Sequence, residues 1–201
     1  MTCLDIIRGI LPDCDVPATE GVKAKIWIIP KSDYDNATIV MNALFTETDV
    51  IQSITLALGA KQAYVFEGYK NSQQMSVVTK EREFAVPVFT HQWQGIIIPR
   101  NVDDKVTLER LIRSRFVLIV ENNDKGEDGE LAFELYGARV GLSHMESTQV
   151  KNENAGGWSV TFATPETESE PKIPISIYDT DYATTKDMVV LLETPTGPVI
   201  P

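Results

Sequence analysis

Apolar and polar residues alternate over much of the chain, which is the pattern of half-buried β-strands. Residues 22–29 show it most clearly, with an apolar side chain at every second position until Pro30 ends the run. The same reasoning predicts strands over residues 36–44, 51–58, 61–69, 75–90 and 91–100, with a turn at 31–36. Pro87 lacks the N–H that an interior strand needs, so its segment is predicted to lie at a sheet edge or a bulge.

The period changes over residues 102–115, where apolar side chains recur at helical spacing. Leu108, Leu111 and Ile112 share one face of this predicted helix. Asp103 or Asp104 is predicted to cap its start, because an acidic side chain there accepts hydrogen bonds from free backbone N–H groups. A continuous apolar run over residues 116–120 follows and predicts a strand that is buried on both faces.

The second half of the chain continues in short strands. A charged turn at 121–129 and an alternating run with Leu131, Phe133 and Leu135 on one side predict a hairpin with the strand before them. Extended segments are predicted over 137–150, 158–163 and 173–178, and a short helix is predicted to be capped at Thr184. About ten strands and two helices make the fold class mostly β (α+β), a β domain with a flanking helix and a short C-terminal helix. The predicted division is a β domain over residues 1–178 and a helix with a Pro-rich extension over 179–201.

Length and composition place the chain among globular proteins. Its 201 residues suit one domain, 43% of them are hydrophobic, and no apolar run approaches the roughly 20 residues of a membrane helix. No secretory signal is evident, so we expect the protein to be made in a cytosol and to bind no membrane. Residues 68–74 are polar and turn-like, and with the strands on either side they predict a long hairpin near residues 60–80.

The charge is acidic and unevenly distributed. The net charge is −11; residues 1–116 hold 13 basic and 14 acidic residues, whereas residues 117–201 hold 5 basic and 15 acidic residues. Direct nucleic-acid binding is disfavoured, because it needs clustered cations. The acidic excess is either ordinary surface charge or one strongly negative face, past which a polyanion such as DNA can slide.

The chain lacks the sequence motifs of common enzymes. It has no Gly-x-Ser-x-Gly elbow, no phosphate-binding glycine loop, and two histidines too far apart for a zinc-protease motif. Ser143 and His144 are neighbours in a strand and point to opposite faces. A pair of carboxylates remains the open enzymatic route. Asp124, Glu127 and Asp128 do not have calcium-loop spacing, and Cys3 and Cys14 are interpreted as reduced thiols. We therefore predict no catalytic residue, no cofactor and no metal ligand.

Several segments resemble tail-tube-like structural proteins of phages and prophages of Bacteroidetes. Residues 108–124 combine a helix, an apolar strand and an Asn- and Asp-rich turn, and residues 133–142 end in Gly141-Leu142 after an aromatic-glycine pair. Residues 154–162 carry a Gly-Trp-x-Val-Thr-Phe strand. Cys3, Cys14-Asp15 and residues 21–26 are similar to the family's opening segment. The resemblance covers most of residues 1–178, and the long acidic loop at 124–129 departs from it.

The resemblance implies a β-sandwich or barrel whose copies join edge to edge in a ring, usually hexameric, with the rings stacked into a tube that conducts DNA. The expected partners are further copies of the chain and other phage tail proteins, in a virion assembled in the host cytoplasm. Ring-to-ring contact is expected at the predicted hairpin and the Pro-rich tail. The hairpin candidates are Gly68, Tyr69, Lys70 and Asn71, and the candidates for an acidic lumen are Asp124, Glu127, Asp128, Glu130 and Glu134.

Three alternatives remain at this point. The first is another ring of the tail or neck, such as a tube initiator or terminator. The second is a carbohydrate-binding or cell-surface-binding β-module, which needs a groove with exposed aromatic side chains. A carboxylate-based hydrolase is the third alternative.

Overall fold

The computed structural model describes residues 20–45, 48–59, 61–68, 72–82 and 85–195. Over these residues the chain forms eleven strands, three α-helices and one short 3₁₀ turn. The elements are β1 Val22–Pro30, α1 Lys31–Asp35, β2 Thr38–Met41, β3 Val50–Thr55, β4 Tyr64–Glu67, β5 Gln74–Arg82, β6 Ala85–Ile97, α2 Val102–Ile112, β7 Phe116–Asn122, β8 Phe133–Tyr136, β9 Ser143–Gln149, the 3₁₀ turn Asn154–Gly156, β10 Trp158–Ala163, β11 Ile175–Ile177 and α3 Tyr182–Leu191. The predicted fold class, mostly β with helices added, is confirmed.

The strands form two sheets. The seven-stranded sheet has the order β2-β3-β11-β8-β7-β1-β4, and the four-stranded sheet has the order β5-β6-β10-β9. The two sheets share one apolar core, in which Ile28 and Leu118 of the larger sheet pack with Trp93 and Phe162 of the smaller sheet. α2 closes this core with Leu108 and Leu111, both buried as predicted.

A second core covers the other face of the seven-stranded sheet. Trp27 and Ile119 point into it and pack with Val189 and Leu192 from the α3 segment. β7 lies between β1 and β8 and alternates between the two cores, so all five residues of 116–120 are buried. The prediction of a strand buried on both faces is therefore confirmed, because this strand is apolar on both sides.

α3 belongs to the same folded unit as the strands. Val189 and Thr185 are fully buried, and the Ala63 N–H donates to the Leu192 carbonyl at 2.7 Å. Part of the segment 179–195 is therefore packed into the core of the strands. The N-cap of α3 is Asp181, whose side chain accepts a hydrogen bond from Thr184 N–H. The predicted cap was Thr184, three residues later.

α2 is also capped by a residue other than those predicted. Asn101 is the N-cap and its side chain accepts from Asp104 N–H at 2.7 Å. Asp104 reaches back to the N–H groups of Arg100 and Asn101, which completes a capping box. The prediction of Asp103 or Asp104 as the cap was wrong because the helix begins earlier, at Val102.

The hairpin predicted near residues 60–80 does not form. β4 pairs with β1 in the larger sheet, whereas β5 pairs with β6 in the smaller one, so the connection between β4 and β5 crosses between sheets. The long hairpin is instead β5–β6. Pro87 lies in β6 beyond the stretch that pairs with β10, next to a register shift with β5, which confirms its predicted edge or bulge position.

Other differences are local. Residues 31–35 form one helical turn instead of a simple turn, and 85–97 is a single strand instead of two. The β7–β8 hairpin is confirmed, but Leu131 is 47% exposed because β8 begins only at Phe133.

Candidate assembly edges

Each sheet ends in two strands with a neighbour on one side only. Within the described residues these edge strands are β2 and β4 in the larger sheet, and β5 and β9 in the smaller sheet. β5 and β9 are the longest, with nine and seven residues against four each for β2 and β4. An unpaired edge presents backbone N–H and C=O groups that another strand can bind. The four-stranded sheet therefore carries the longest free edges.

Backbone hydrogen bonds show which residues of these two edges face outward. Thr164 N–H donates to the His91 carbonyl at 2.9 Å, so odd-numbered residues of β6 bond to β10 and even-numbered residues bond to β5. The registers of β5 with β6 and of β9 with β10 extend this alternation to the two edge strands. The residues whose N–H and C=O groups point to the free side are Met75, Val77 and Thr79 in β5, and Ser147 and Gln149 in β9.

The two edges are complementary in direction. All three strand pairings of the four-stranded sheet are antiparallel. Because the number of strands is even, β5 and β9 run in opposite directions. β5 of one copy and β9 of the next can therefore pair antiparallel through a simple rotation, and the contact joins two different surfaces.

Exposed apolar side chains lie on or beside the edge strands. Val78 of β5 is 52% exposed and Met145 of β9 is 47% exposed. Met145 is the extra residue of a bulge in β9, opposite Thr161 and Phe162 of β10. Apolar groups at an edge lose contact with water when a second strand covers them, which favours pairing.

The outer face of the four-stranded sheet is mostly polar and almost uncharged. The strand registers place amide and hydroxyl side chains on it together with Val78, Val88 and Ile96, and the charged residues among these paired positions are Lys80 of β5 and Glu146 of β9. The polar members are Gln74, Ser76, Gln92, Gln94, Thr148, Ser159 and Thr161. Thr90 also lies on this face, but its hydroxyl is buried. The opposite face of the same sheet is in the core.

The candidate acidic residues do not belong to this sheet. Asp124, Glu127, Asp128 and Glu130 belong to the loop between β7 and β8, which we call the acidic loop (residues 123–130), and Glu134 lies on β8 of the larger sheet. Within the described residues, Glu127 and Asp128 are exposed and have no side-chain hydrogen bond.

The other three candidate acids have internal partners. The Asp124 carboxylate accepts from Gly126 N–H, and the Glu130 carboxylate accepts from Asp128 N–H at 2.9 Å. Glu134 accepts from the Tyr136 hydroxyl, and burial, followed by the nearby Glu134 charge, raises the pKa of Tyr136. These acids therefore help to hold the local structure.

The hairpin candidates lie mostly outside the described residues. Gly68 follows β4, and its N–H donates to the Ala24 carbonyl at 3.1 Å. Tyr69, Lys70 and Asn71 lie outside the described residues. Cys3 and Cys14 also lie outside them.

A buried His–Glu arrangement was not predicted from the sequence. His91 is 1% exposed; its Nδ1 accepts from Gly137 N–H at 3.0 Å, and its Nε2 donates to the Lys172 carbonyl at 3.0 Å. Burial lowers the pKa of His91, against the opposing effect of the Glu170 charge. The Glu170 carboxylate, also buried, accepts from Arg139 and Val140 N–H. Since both ring nitrogens and the carboxylate bind backbone groups, this arrangement fixes loops and leaves no free acid or base.

The tryptophans do not form a sugar-binding platform. Trp27 and Trp93 are 1% and 0% exposed, and each indole N–H has a partner, Glu193 and Gln73 respectively. Trp158 is half-buried beside the inter-sheet core. In the part of the chain that the structure describes, no three or more His, Cys, Asp or Glu residues are grouped so that they could hold a metal ion, and no helix there has the length and apolarity to span a bilayer.

The chain was compared with protein-family models, curated proteins and solved structures, and none of them matches it.

Proposed function

We propose that this chain is a structural subunit of a bacteriophage tail, most specifically of the tail tube, which assembles by pairing β5 of one copy with β9 of the next. The observation that carries the proposal is the even-stranded antiparallel sheet with two long free edges that run in opposite directions. A contact between two different surfaces of the same chain repeats from copy to copy. The copies close into a ring when the rotation between neighbours adds up to a full turn.

The packing of the two sheets decides which side of such a ring would face inward. One face of the four-stranded sheet is covered by the seven-stranded sheet and α2. The seven-stranded sheet and α2 of each subunit must therefore lie outside the wall that the four-stranded sheets form together. The polar face with Gln92, Gln94 and Thr161 then lines the lumen. Each subunit contributes four strands to this wall.

This arrangement would give a neutral lumen in place of the acidic one expected from the sequence. Lys80 and Glu146, the charged residues among its paired positions, have opposite signs, so they add no net charge to this face. The acidic loop lies on the other sheet and outside the wall. A lumen of amides and hydroxyls has no cluster of cations to hold phosphates, so DNA passes without being retained.

Proline substitutions test the edge contact. Ser147→Pro removes an N–H that points to the free side of β9, whereas Thr148→Pro removes one that bonds to β10. We expect Ser147→Pro to remain folded and lose ring formation in negative-stain microscopy. Val77→Pro should do the same from the β5 side. Thr148→Pro is the matched control and should lower the melting temperature.

Rings that persist in folded Ser147→Pro and Val77→Pro would exclude the β5–β9 contact. The same images distinguish the tube from the related alternatives, because a tube subunit gives stacked rings, whereas a ring of the neck, an initiator or a terminator gives single ones.

A further inference from the structure

The two ends of the strands in the seven-stranded sheet differ in charge. β1, β7 and β8 are neighbours, and the acidic loop lies at the end where β7 stops and β8 starts. At the other end, Pro30 of β1 pairs with Phe116 of β7. Four of the seven arginines of the chain lie toward this second end, which we call the arginine end, together with the carboxylates of Asp35, Glu109 and Glu168. Arg115 and Arg139 line one recess there, Arg110 lines a second, and Arg113 is the C-cap of α2. At about 3.3 Å per residue, the two ends lie roughly 25 Å apart.

Two of these arginines are free to bind a partner. Arg115 forms a two-point ion pair with Glu168, at 2.9 and 3.2 Å, and Arg113 pairs with Glu109 at 2.6 Å. Within the described residues, Arg110 and Arg139 have no such carboxylate, and both are exposed.

The arginine end has a recess and fixed geometry. Arg139 and Arg115 line a cleft of about 510 Å³ together with the Lys31–Asp35 ion pair. The turn that carries Arg139 is held by the buried Glu170 carboxylate, which accepts from the Arg139 and Val140 N–H groups. The Gly141 N–H also donates to the Gly137 carbonyl at 2.9 Å.

The acidic loop is held by internal contacts, and its Glu127 and Asp128 side chains are exposed. Its single cation, Lys125, lies 3.5 Å from the centre of the Tyr182 ring and so turns back onto α3. The Leu131 N–H donates to the Lys125 carbonyl, and Gly129 packs directly against Tyr182. Glu127 and Asp128 remain at the tip. Such internal contacts reduce the conformational entropy that the loop loses on binding.

The acidic loop also creates a negative field at its own end of the molecule. Burial raises the pKa of Tyr178, and the carboxylates of Asp128, Glu130, Asp181 and Asp179 raise it further. An approaching cationic surface is attracted by such a field, whereas a second acidic surface is repelled.

We propose that the acidic loop of one copy docks on the arginine end of another, with Glu127 and Asp128 facing Arg110 and Arg139. Because the two surfaces lie at opposite ends of the same strands, the contact repeats by translation along the strands and does not close. It would therefore join rings end to end. This inference rests on the proposed function, in which the rings exist. The β5–β9 contact makes the ring, and this second contact stacks rings.

Charge reversal tests the stacking contact separately from the ring. The loop variant is Glu127→Lys with Asp128→Lys, and the arginine-end variant is Arg110→Glu with Arg139→Glu. We expect each variant alone to form rings but at least tenfold fewer stacks than the unmodified chain. Combining all four substitutions, or mixing rings of the two variants, should restore stacks because the charges are again opposite. Glu153→Lys, an exposed acid in the turn after β9, is the matched control and should stack normally.

Each outcome has a distinct meaning. Rings that stack equally in all variants, or unmodified rings that never stack in low salt, overturn the stacking contact and leave the ring intact. Loss of DNA retention in the arginine-end variant with unchanged stacking would assign these arginines to nucleic acid instead. Absence of rings from the unmodified chain contradicts both the stacking contact and the proposed function.

Discussion

The indole N–H of Trp27 donates a hydrogen bond to the carboxylate of Glu193 at 2.8 Å, across 166 residues of sequence. The same oxygen pairs with the Lys25 ammonium at 2.6 Å. Partial burial opposes ionisation of Glu193, but the hydrogen bonds from Lys25 and Trp27 outweigh it and lower the pKa of the carboxyl group. This contact ties the end of the α3 segment to β1, which lies between β7 and the edge strand β4 of the larger sheet.

Glu193→Ala should therefore destabilise the fold. The substitution leaves the buried indole N–H of Trp27 without a partner, and we expect a loss of about 1–3 kcal/mol in the free energy of unfolding. Urea unfolding followed by tryptophan fluorescence measures it. Asp187→Ala, at an exposed position of α3, is the control and should change stability little. An equal effect of the two substitutions would show that the Trp27–Glu193 contact does not hold the helix in place.

The buried His91 predicts a specific sensitivity to acid. Its pKa is lowered by burial in the folded protein, whereas in the unfolded chain it returns to about 6.5. The unfolded state then binds more protons below pH 6.5, so stability falls as the pH decreases from there toward the folded-state pKa. His91→Asn keeps an acceptor near Gly137 N–H but cannot titrate.

The His91 comparison is made between pH 7.5 and pH 5.5. We expect the unmodified chain to lose more unfolding free energy over this interval than His91→Asn, since the carboxylates are common to both. His144→Asn is the matched control for loss of an imidazole, and should keep the sensitivity of the unmodified chain. Equal pH dependence in the unmodified chain and His91→Asn would contradict this role of His91.

The capping of α2 gives a third prediction. Asn101→Ala removes the side chain that accepts from Asp104 N–H, and should cost about 1 kcal/mol. Asp103→Ala removes a neighbouring exposed acid without a capping bond and should cost less. Thermal unfolding of the two variants distinguishes them, and a larger loss for Asp103→Ala would place the start of the helix two residues later.

Local patterns were sufficient for most individual elements of the fold. β1, α2 and the buried strand β7 follow from residues that are close in sequence, because alternation and helical spacing are local properties. The pairing of β4 with β1 could not be predicted in this way. It depends on Ile26 and Phe66 packing in one core, a contact between residues that are distant in sequence.

The candidate edges depend on the same long-range information. Ser147 and Val77 are ordinary strand residues in the sequence, and their outward N–H groups follow only from the registers of β9 and β5. The run of Gln, Ser and Thr in β5, β6 and β10 was a usable signal for a polar sheet face, whereas the acidic excess drew attention to a loop elsewhere. His91 and Glu170 gave no signal, because their partners are backbone groups.

The mass of the particles that the 201-residue chain forms as its concentration rises tests the central claim most directly. Native mass spectrometry should show the monomer giving way to one closed multiple of its 22.4 kDa mass, and to stacks of that multiple in low salt. A protein that remains monomeric at every concentration, or that forms a two-fold symmetric dimer and stops there, would contradict assembly through β5 and β9.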